Sequence, residues 1–148
     1  MKSVLDEDTR NELIDRIKTL HKNSLPQWGK MTVVQMLKHC VMCEKVYFGE
    51  MEIKRSFLGR LIGRAALKNL LKNDAPICKN APTTQVLIVT ETGGDVEVEK
   101  INWIRCIERY AGLPSENFTH WLFGKMTPEQ IGQFVYKHTD HHLRQFNC

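Results

Sequence analysis

The sequence predicts an all-α protein that forms a single domain over residues 1–148. Four segments place apolar residues every three or four positions, two of these helices open with capping boxes, and the strand signal is weak. A chain of 148 residues has the length of one domain. With 42% hydrophobic residues, 26% charged residues and a net charge of +4, the composition excludes a disordered chain or a disulfide-stapled scaffold.

The first two helices are predicted from apolar periodicity and from the residues that begin and end them. The first helix is expected over residues 8–21, where acidic residues come early and an apolar stripe follows. The second is expected over residues 32–48. Thr32 and Gln35 have the spacing of a capping box, in which two side chains satisfy the free amides of the first turn. Gly49 then ends the helix.

The middle of the chain gives weaker signals. An apolar and basic segment over residues 56–72 is followed by a proline-containing loop over residues 73–84. We interpret residues 86–89 as an extended linker rather than a strand, because no pairing partner is evident. Periodicity then predicts a third long helix over residues 95–110. Two residues are expected to end it: Gly112 and Pro114.

The last helix is predicted over residues 127–146, where Thr127 and Gln130 form a second capping box. The seven residues from Gly29 share their Gly-Lys-Met-Thr-x-x-Gln pattern with those from Gly124. We interpret this similarity as convergent capping rather than a duplicated domain. Short connections and scarce strand signal favour a helical bundle, with a long crossover between the second and third long helices.

Histidines carry the clearest chemical signal. On a helical wheel, His138 and His142 fall in the middle of the apolar stripe of the last helix, one turn apart. Buried imidazoles need partners, and this spacing places both rings within reach of one metal ion. His39, on the second helix, supplies a third ring if the two helices face each other. Three imidazoles leave a coordination position open and suit zinc, nickel or iron.

A second interpretation is that these histidines are only hydrogen-bonded core residues. His141 is also within ligand spacing of His138, but it lies off the centre of the stripe, so we rank it second as a ligand. His21 and His120 are expected at the surface. Asp140 is expected on the outer face of the last helix, with three polar neighbours: Gln133, Lys137 and Arg144.

Other patterns are explained by packing and solvation. Cys40 and Cys43 lie inside a helix, without the second cysteine pair of a zinc finger, and are expected to pack in the core. Gly59 and Gly63 predict a close helix contact. The row of basic residues with four-residue spacing is interpreted as a solvated face rather than an anion or membrane stripe: Arg60, Arg64, Lys68 and Lys72. No apolar run is long enough for a transmembrane helix, so no membrane partner is expected.

Two parts of the chain resemble the DinB-like superfamily. These are the segment Met36-Leu37-Lys38-His39 and the segment over residues 138–146; residues 28–32 and 123–130 resemble one uncharacterised branch. The resemblance implies a four-helix bundle with a long crossover, often dimeric. It also implies a divalent metal held by one histidine of the second helix and two of the last. By position these ligands are His39, His138 and His142.

The leading functional hypothesis is a metal-dependent enzyme, and relatives in the superfamily suggest a thiol S-transferase. Some of them use bacillithiol, mycothiol or glutathione, so the expected partners are a small-molecule substrate and a low-molecular-weight thiol, with a homodimer as the assembly. The alternative is a non-catalytic stress or interaction protein with a structural or vestigial metal. Nucleic-acid binding through residues 54–72 ranks third, since the net charge is modest. Five cysteines, an odd number, and no signal-peptide pattern predict a cytoplasmic protein.

Overall fold

The computed structural model describes residues 1–112 and 118–148 and shows, within these ranges, five α-helices and a two-stranded antiparallel hairpin. Their bounds are α1 (Glu7–Lys18), α2 (Val33–Tyr47), α3 (Phe57–Leu70), α4 (Val96–Glu108), β1 (Phe118–His120), β2 (Gly124–Met126) and α5 (Pro128–Gln145). The predicted helical class is confirmed. None of the helices in the described ranges has the length and hydropathy needed to cross a membrane.

Both predicted capping boxes are present at the start of the helices that carry the histidines. In α2 the Thr32 hydroxyl accepts from the backbone N–H of Gln35, and the side-chain carbonyl of Gln35 accepts in return from the backbone N–H of Thr32. Thr127 repeats the arrangement in α5. The glycines that open the two similar segments both adopt a left-handed conformation, with φ of +80° at Gly29 and +79° at Gly124. The shared pattern therefore encodes the same local turn into a helix.

Four of the helices share one apolar core. α2 packs against α4 and α5, and α1 packs against the same two helices. Fully buried side chains fill the space between them, including Met36, Leu37, Trp103 and Leu143. This packing brings the α2 face that carries His39 opposite the α5 face that carries the other histidines.

α3 lies beside this core and packs on the hairpin. At both Gly59 and Gly63 a Cβ atom would collide with the backbone of Leu122, so the predicted close contact exists, but its partner is the hairpin turn rather than another helix. The ammonium of Lys137 donates to the carbonyl of Leu70 at the end of α3, at 2.8 Å. Lys137 is consequently buried, not solvated on an outer face as its wheel position suggested.

The hairpin corrects the expectation of a chain without strands. β1 and β2 pair antiparallel with Phe118 opposite Met126. Each strand has three residues, which is too short for a period of two to stand out in the sequence. The segment interpreted as an extended linker instead contains a 3-10 turn over Gln85–Leu87 that buries Leu87 against the core. Pro114, an expected helix end, lies outside the described residues.

Candidate metal centre

Three histidine rings from two facing helices meet inside the protein. His39 comes from α2, while His138 and His142 come from successive turns of α5. Each ring offers one nitrogen, and these three nitrogens all lie within 4.8 Å of one another. The ring centroids of His138 and His142 are 4.7 Å apart, and His39 lies 5.6 Å and 5.0 Å from them. The structure thus brings together the three residues expected to act as ligands.

The orientation of His39 is set by the backbone of the 3-10 turn. Its Nδ1 lies 2.8 Å from the carbonyl oxygen of Leu87, which can only accept, so Nδ1 carries the proton. The lone pair is therefore on the other nitrogen, Nε2. A backbone carbonyl that fixes the tautomer of a histidine in this way is a common feature of metal sites.

His142 is oriented through a chain of hydrogen bonds. Its Nδ1 lies 3.0 Å from the Oε1 atom of Gln145. The amide nitrogen of Gln145 donates to the carbonyl of Trp28 at 2.9 Å, which fixes the direction of the amide. Oε1 must then accept from a protonated Nδ1, so the Nε2 atom of His142 is also free to bind a metal.

Burial keeps these rings neutral. It lowers the pKa of His39 and lowers that of His142 to about 3. The pKa of His138 falls well below its usual value, first because of burial and then because of the neighbouring imidazoles. Neutral imidazole is the form that coordinates metal ions. A protonated ring in this cluster would be unfavourable at neutral pH.

The donor set fits a divalent metal. In a tetrahedral zinc site, Zn–N bonds of roughly 2.0–2.1 Å place the nitrogens about 3.3 Å apart. The three nitrogens lie within 4.8 Å of one another, so they have to approach by at most about 1.5 Å to share one zinc ion. Three imidazoles suit zinc, nickel or iron, and they leave an open position for a further ligand.

Cys43 lies at the edge of the cluster, with its sulfur 3.6 Å from the Nε2 atom of His39. Burial raises the pKa of this thiol, so it stays protonated. Cys40 is also buried, with its sulfur 3.7 Å from that of Met36. Both thiols pack in the core, as predicted.

His120 is the site residue that the sequence analysis missed. It was expected at the surface, yet it is buried at the end of β1. Its Nδ1 accepts from the backbone N–H groups of Leu122 and Phe123, at 3.1 Å and 3.2 Å, so the proton is on Nε2. Burial lowers its pKa to about 4. The only sequence signal was the apolar neighbourhood of Phe123, on which the ring stacks with a centroid distance of 4.6 Å.

Three other residues considered in the sequence analysis lie outside the group of three histidines. His141 packs edge-on against Trp28, with centroids 5.6 Å apart, and stays outside the group of three. His21 is exposed, as expected. Asp140 is buried, contrary to the prediction, and pairs with Arg16 of α1 at 2.9 Å. The prediction failed because α1 covers the polar side of α5.

A cavity of about 590 Å³ borders the three rings. Its wall is mainly apolar and aromatic, and its lining residues include Met31, Leu70, Ile77, Trp121, Phe123 and Phe134. Lys30 is the one lysine or arginine among its lining residues, and no carboxylate lines it within the described ranges. Trp28 is part of the wall, and its buried indole N–H has no hydrogen-bond partner among the described residues. Such a cavity has the size and character of a small-molecule site.

The sequence as a whole matches the profile of one family, described as Protein of unknown function (DUF1569), over residues 1–148. The chain belongs to the DUF1569 family. No match was found among curated proteins or among solved structures. Because the DUF1569 description assigns no activity, the function of this family member has to be argued from its site.

Proposed function

We propose that this protein is a DinB-like four-helix bundle with a long crossover, which binds a divalent metal through His39, His138 and His142. We further propose that it uses this metal to join the sulfur of a low-molecular-weight thiol to a carbon atom of an apolar electrophile. The thiol proton passes to solvent, and the leaving group of the electrophile departs as an anion. The observation that carries the proposal is the meeting of three neutral imidazoles, two of them buried and that of His138 half-buried, at the wall of a 590 Å³ apolar cavity. Burying several imidazoles together without a common ligand would be unfavourable.

The residues of the chain have distinct roles in this proposal. The Leu87 carbonyl and the Gln145 amide hold the rings of His39 and His142 with the proton on Nδ1 and the lone pair on Nε2. A bound metal supplies Lewis acidity and lowers the pKa of a coordinated thiol. His120, neutral and carrying its proton on Nε2, lines the same cavity and is positioned as a hydrogen-bond donor to a ligand there.

The cavity wall indicates the chemistry of the electrophile. An apolar and aromatic lining stabilises uncharged substrates, because charged groups would lose their hydration without gaining a partner. Lys30 provides one cationic contact and can match one carboxylate. The free indole N–H of Trp28 can satisfy one acceptor atom on the bound molecule.

The first experiment measures metal content in protein purified without a histidine tag. We expect about one equivalent of zinc, nickel or iron per chain, with the metal lost in His142→Ala and retained in a matched variant of an exposed histidine, His21→Ala. Protein that contains no metal after native purification, and binds none when titrated, would refute the site.

The second experiment tests turnover. Metal-loaded protein is incubated with monochlorobimane and, in turn, glutathione, bacillithiol and mycothiol. We expect conjugation above the uncatalysed rate with one of these thiols and loss of that rate in His138→Ala. Turnover that is unchanged in His138→Ala removes the metal-dependent mechanism. A stoichiometric metal with no turnover favours the non-catalytic alternative.

A further inference from the structure

α3 presents a large apolar surface to solvent. Four of its side chains are between 50% and 77% exposed: Phe57, Leu58, Leu61 and Ile62. We refer to these four residues as the α3 face. Isolated exposed apolar residues are ordinary, but four large ones within two turns of a helix mark an interaction surface.

The apolar side of α3 cannot turn inward. Its opposite side carries Gly59, Gly63 and Leu67, which are the buried residues of the helix. The two glycines approach the hairpin backbone so closely that any side chain would collide with it. Lys137 additionally binds the carbonyl of Leu70 at the end of the helix. The α3 face is therefore held outward by the packing of the rest of the protein.

The segment that contains α3 is strongly basic. Residues 53–73 contain no Asp or Glu and six basic residues: Lys54, Arg55, Arg60, Arg64, Lys68 and Lys72. Within residues 1–112 and 118–148, none of these six forms an ion pair. At 100° per residue, Arg60, Arg64 and Lys68 run along one edge of the α3 face. The basic row expected to be a plain solvated face thus borders an exposed apolar one.

We propose that α3 docks this protein on the surface of an anionic lipid membrane, with the helix axis parallel to the bilayer. An apolar face buried in the headgroup region, beside cations that contact lipid phosphates, is the binding mode of interfacial amphipathic helices. The helix has 14 residues and is not of the length or hydropathy that crosses a membrane. The charge pattern favours a lipid surface over a second copy of this protein, because a contact between two α3 faces would bring together two basic segments whose residues 53–73 contain no carboxylate. Nucleic acid would leave the apolar side chains uncovered.

The test is flotation of the full-length protein with vesicles of phosphatidylcholine alone or of phosphatidylcholine mixed with phosphatidylglycerol. We expect the protein to float with the anionic vesicles, to remain largely free of the neutral ones, and to be released as ionic strength rises. Binding that is equal on both vesicle types, or absent from both, would overturn the proposal.

Substitutions in α3 separate the apolar and ionic contributions to vesicle binding. The double variant Phe57→Ser and Leu61→Ser should lower partitioning onto anionic vesicles by at least about tenfold, since both side chains would enter the interface. Lys68→Gln should lower it by about fivefold. Ile101→Ser is the matched control, because Ile101 of α4 is 49% exposed on a different surface, and it should bind as the unsubstituted protein does.

Circular dichroism checks that each variant is folded. Sedimentation velocity tests whether a second copy of the protein covers the α3 face instead of a membrane. Substitutions of exposed side chains should leave the helical spectrum unchanged. A dimer that dissociates in the double variant, together with an unchanged vesicle affinity, would show that a second copy covers the α3 face and would refute membrane docking. The vesicle assay needs no metal and no thiol, so its outcome is independent of the proposed enzymatic function.

Discussion

The burial of Glu44 predicts how the free energy of unfolding depends on pH. It lies on α2, 1% exposed, and its Oε2 accepts a hydrogen bond of 2.5 Å from the hydroxyl of Tyr110. Burial raises the pKa of Glu44 from 4.5 to about 7. The folded protein therefore holds a proton on Glu44 over a pH range in which the unfolded chain has released it.

The pKa shift of Glu44 determines both the sign and the size of its contribution to the pH dependence of stability. For an acid whose pKa is raised by folding, the stabilising contribution is complete below the unfolded pKa and is lost as pH rises through the folded pKa. A shift from 4.5 to about 7, at 1.36 kcal/mol per pKa unit, corresponds to about 3 kcal/mol. Glu44→Gln has nearly the same shape and no charge. Relative to the wild type, its free energy of unfolding should therefore rise by about 3 kcal/mol between about pH 4.5 and pH 8.

The assay is urea unfolding followed by circular dichroism at several pH values between about pH 5 and pH 8. The difference between wild type and Glu44→Gln cancels the contribution of the buried histidines, which titrate in both proteins. Glu108→Gln, at an exposed position on α4, is the control and should show no such trend. A difference between wild type and Glu44→Gln that stays constant with pH would show that Glu44 is not held protonated by burial.

Two further predictions concern the centre and the helix that borders its cavity. Gln145→Met should lower metal affinity by about 10–100-fold while His142 remains in place, because the amide fixes that ring; isothermal titration should show no comparable loss for Gln133→Met on the same helix. Gly63→Ala should lower the free energy of unfolding by about 3 kcal/mol, since the new methyl group meets the hairpin backbone, and an unchanged urea midpoint would contradict that packing. Gly93→Ala, which has open space around it, is the control and should remain within about 0.5 kcal/mol of the wild type.

The sequence was most informative where structure is determined locally. α2 was predicted over residues 32–48 and spans Val33–Tyr47, and α5 was predicted over residues 127–146 and spans Pro128–Gln145. In both cases the capping residues and the apolar stripe lie within the helix itself or next to it. The same stripe placed His138 and His142 on the side of α5 that faces α2.

The sequence was less informative where a second element decides the environment. A helical wheel identifies the side of α5 that faces the core, but it does not show that α1 covers the opposite side and buries Asp140. It also gives no information on His120, whose burial depends on the hairpin and on stacking against Phe123. The exposure of the α3 face likewise follows from the packing of Gly59 and Gly63 on the hairpin rather than from the helix alone.

Gln145 joins two parts of the protein that are far apart along the chain. Its side chain bridges His142 and the carbonyl of Trp28, and its own backbone carbonyl accepts from the N–H of Gln27 at 2.7 Å. Hydrogen bonds through Gln145 thereby link the segment around Trp28, which forms part of the cavity wall, to the ring of His142. We therefore expect a rotation of the His142 ring on metal binding to shift the segment around Trp28 and with it the shape of the cavity.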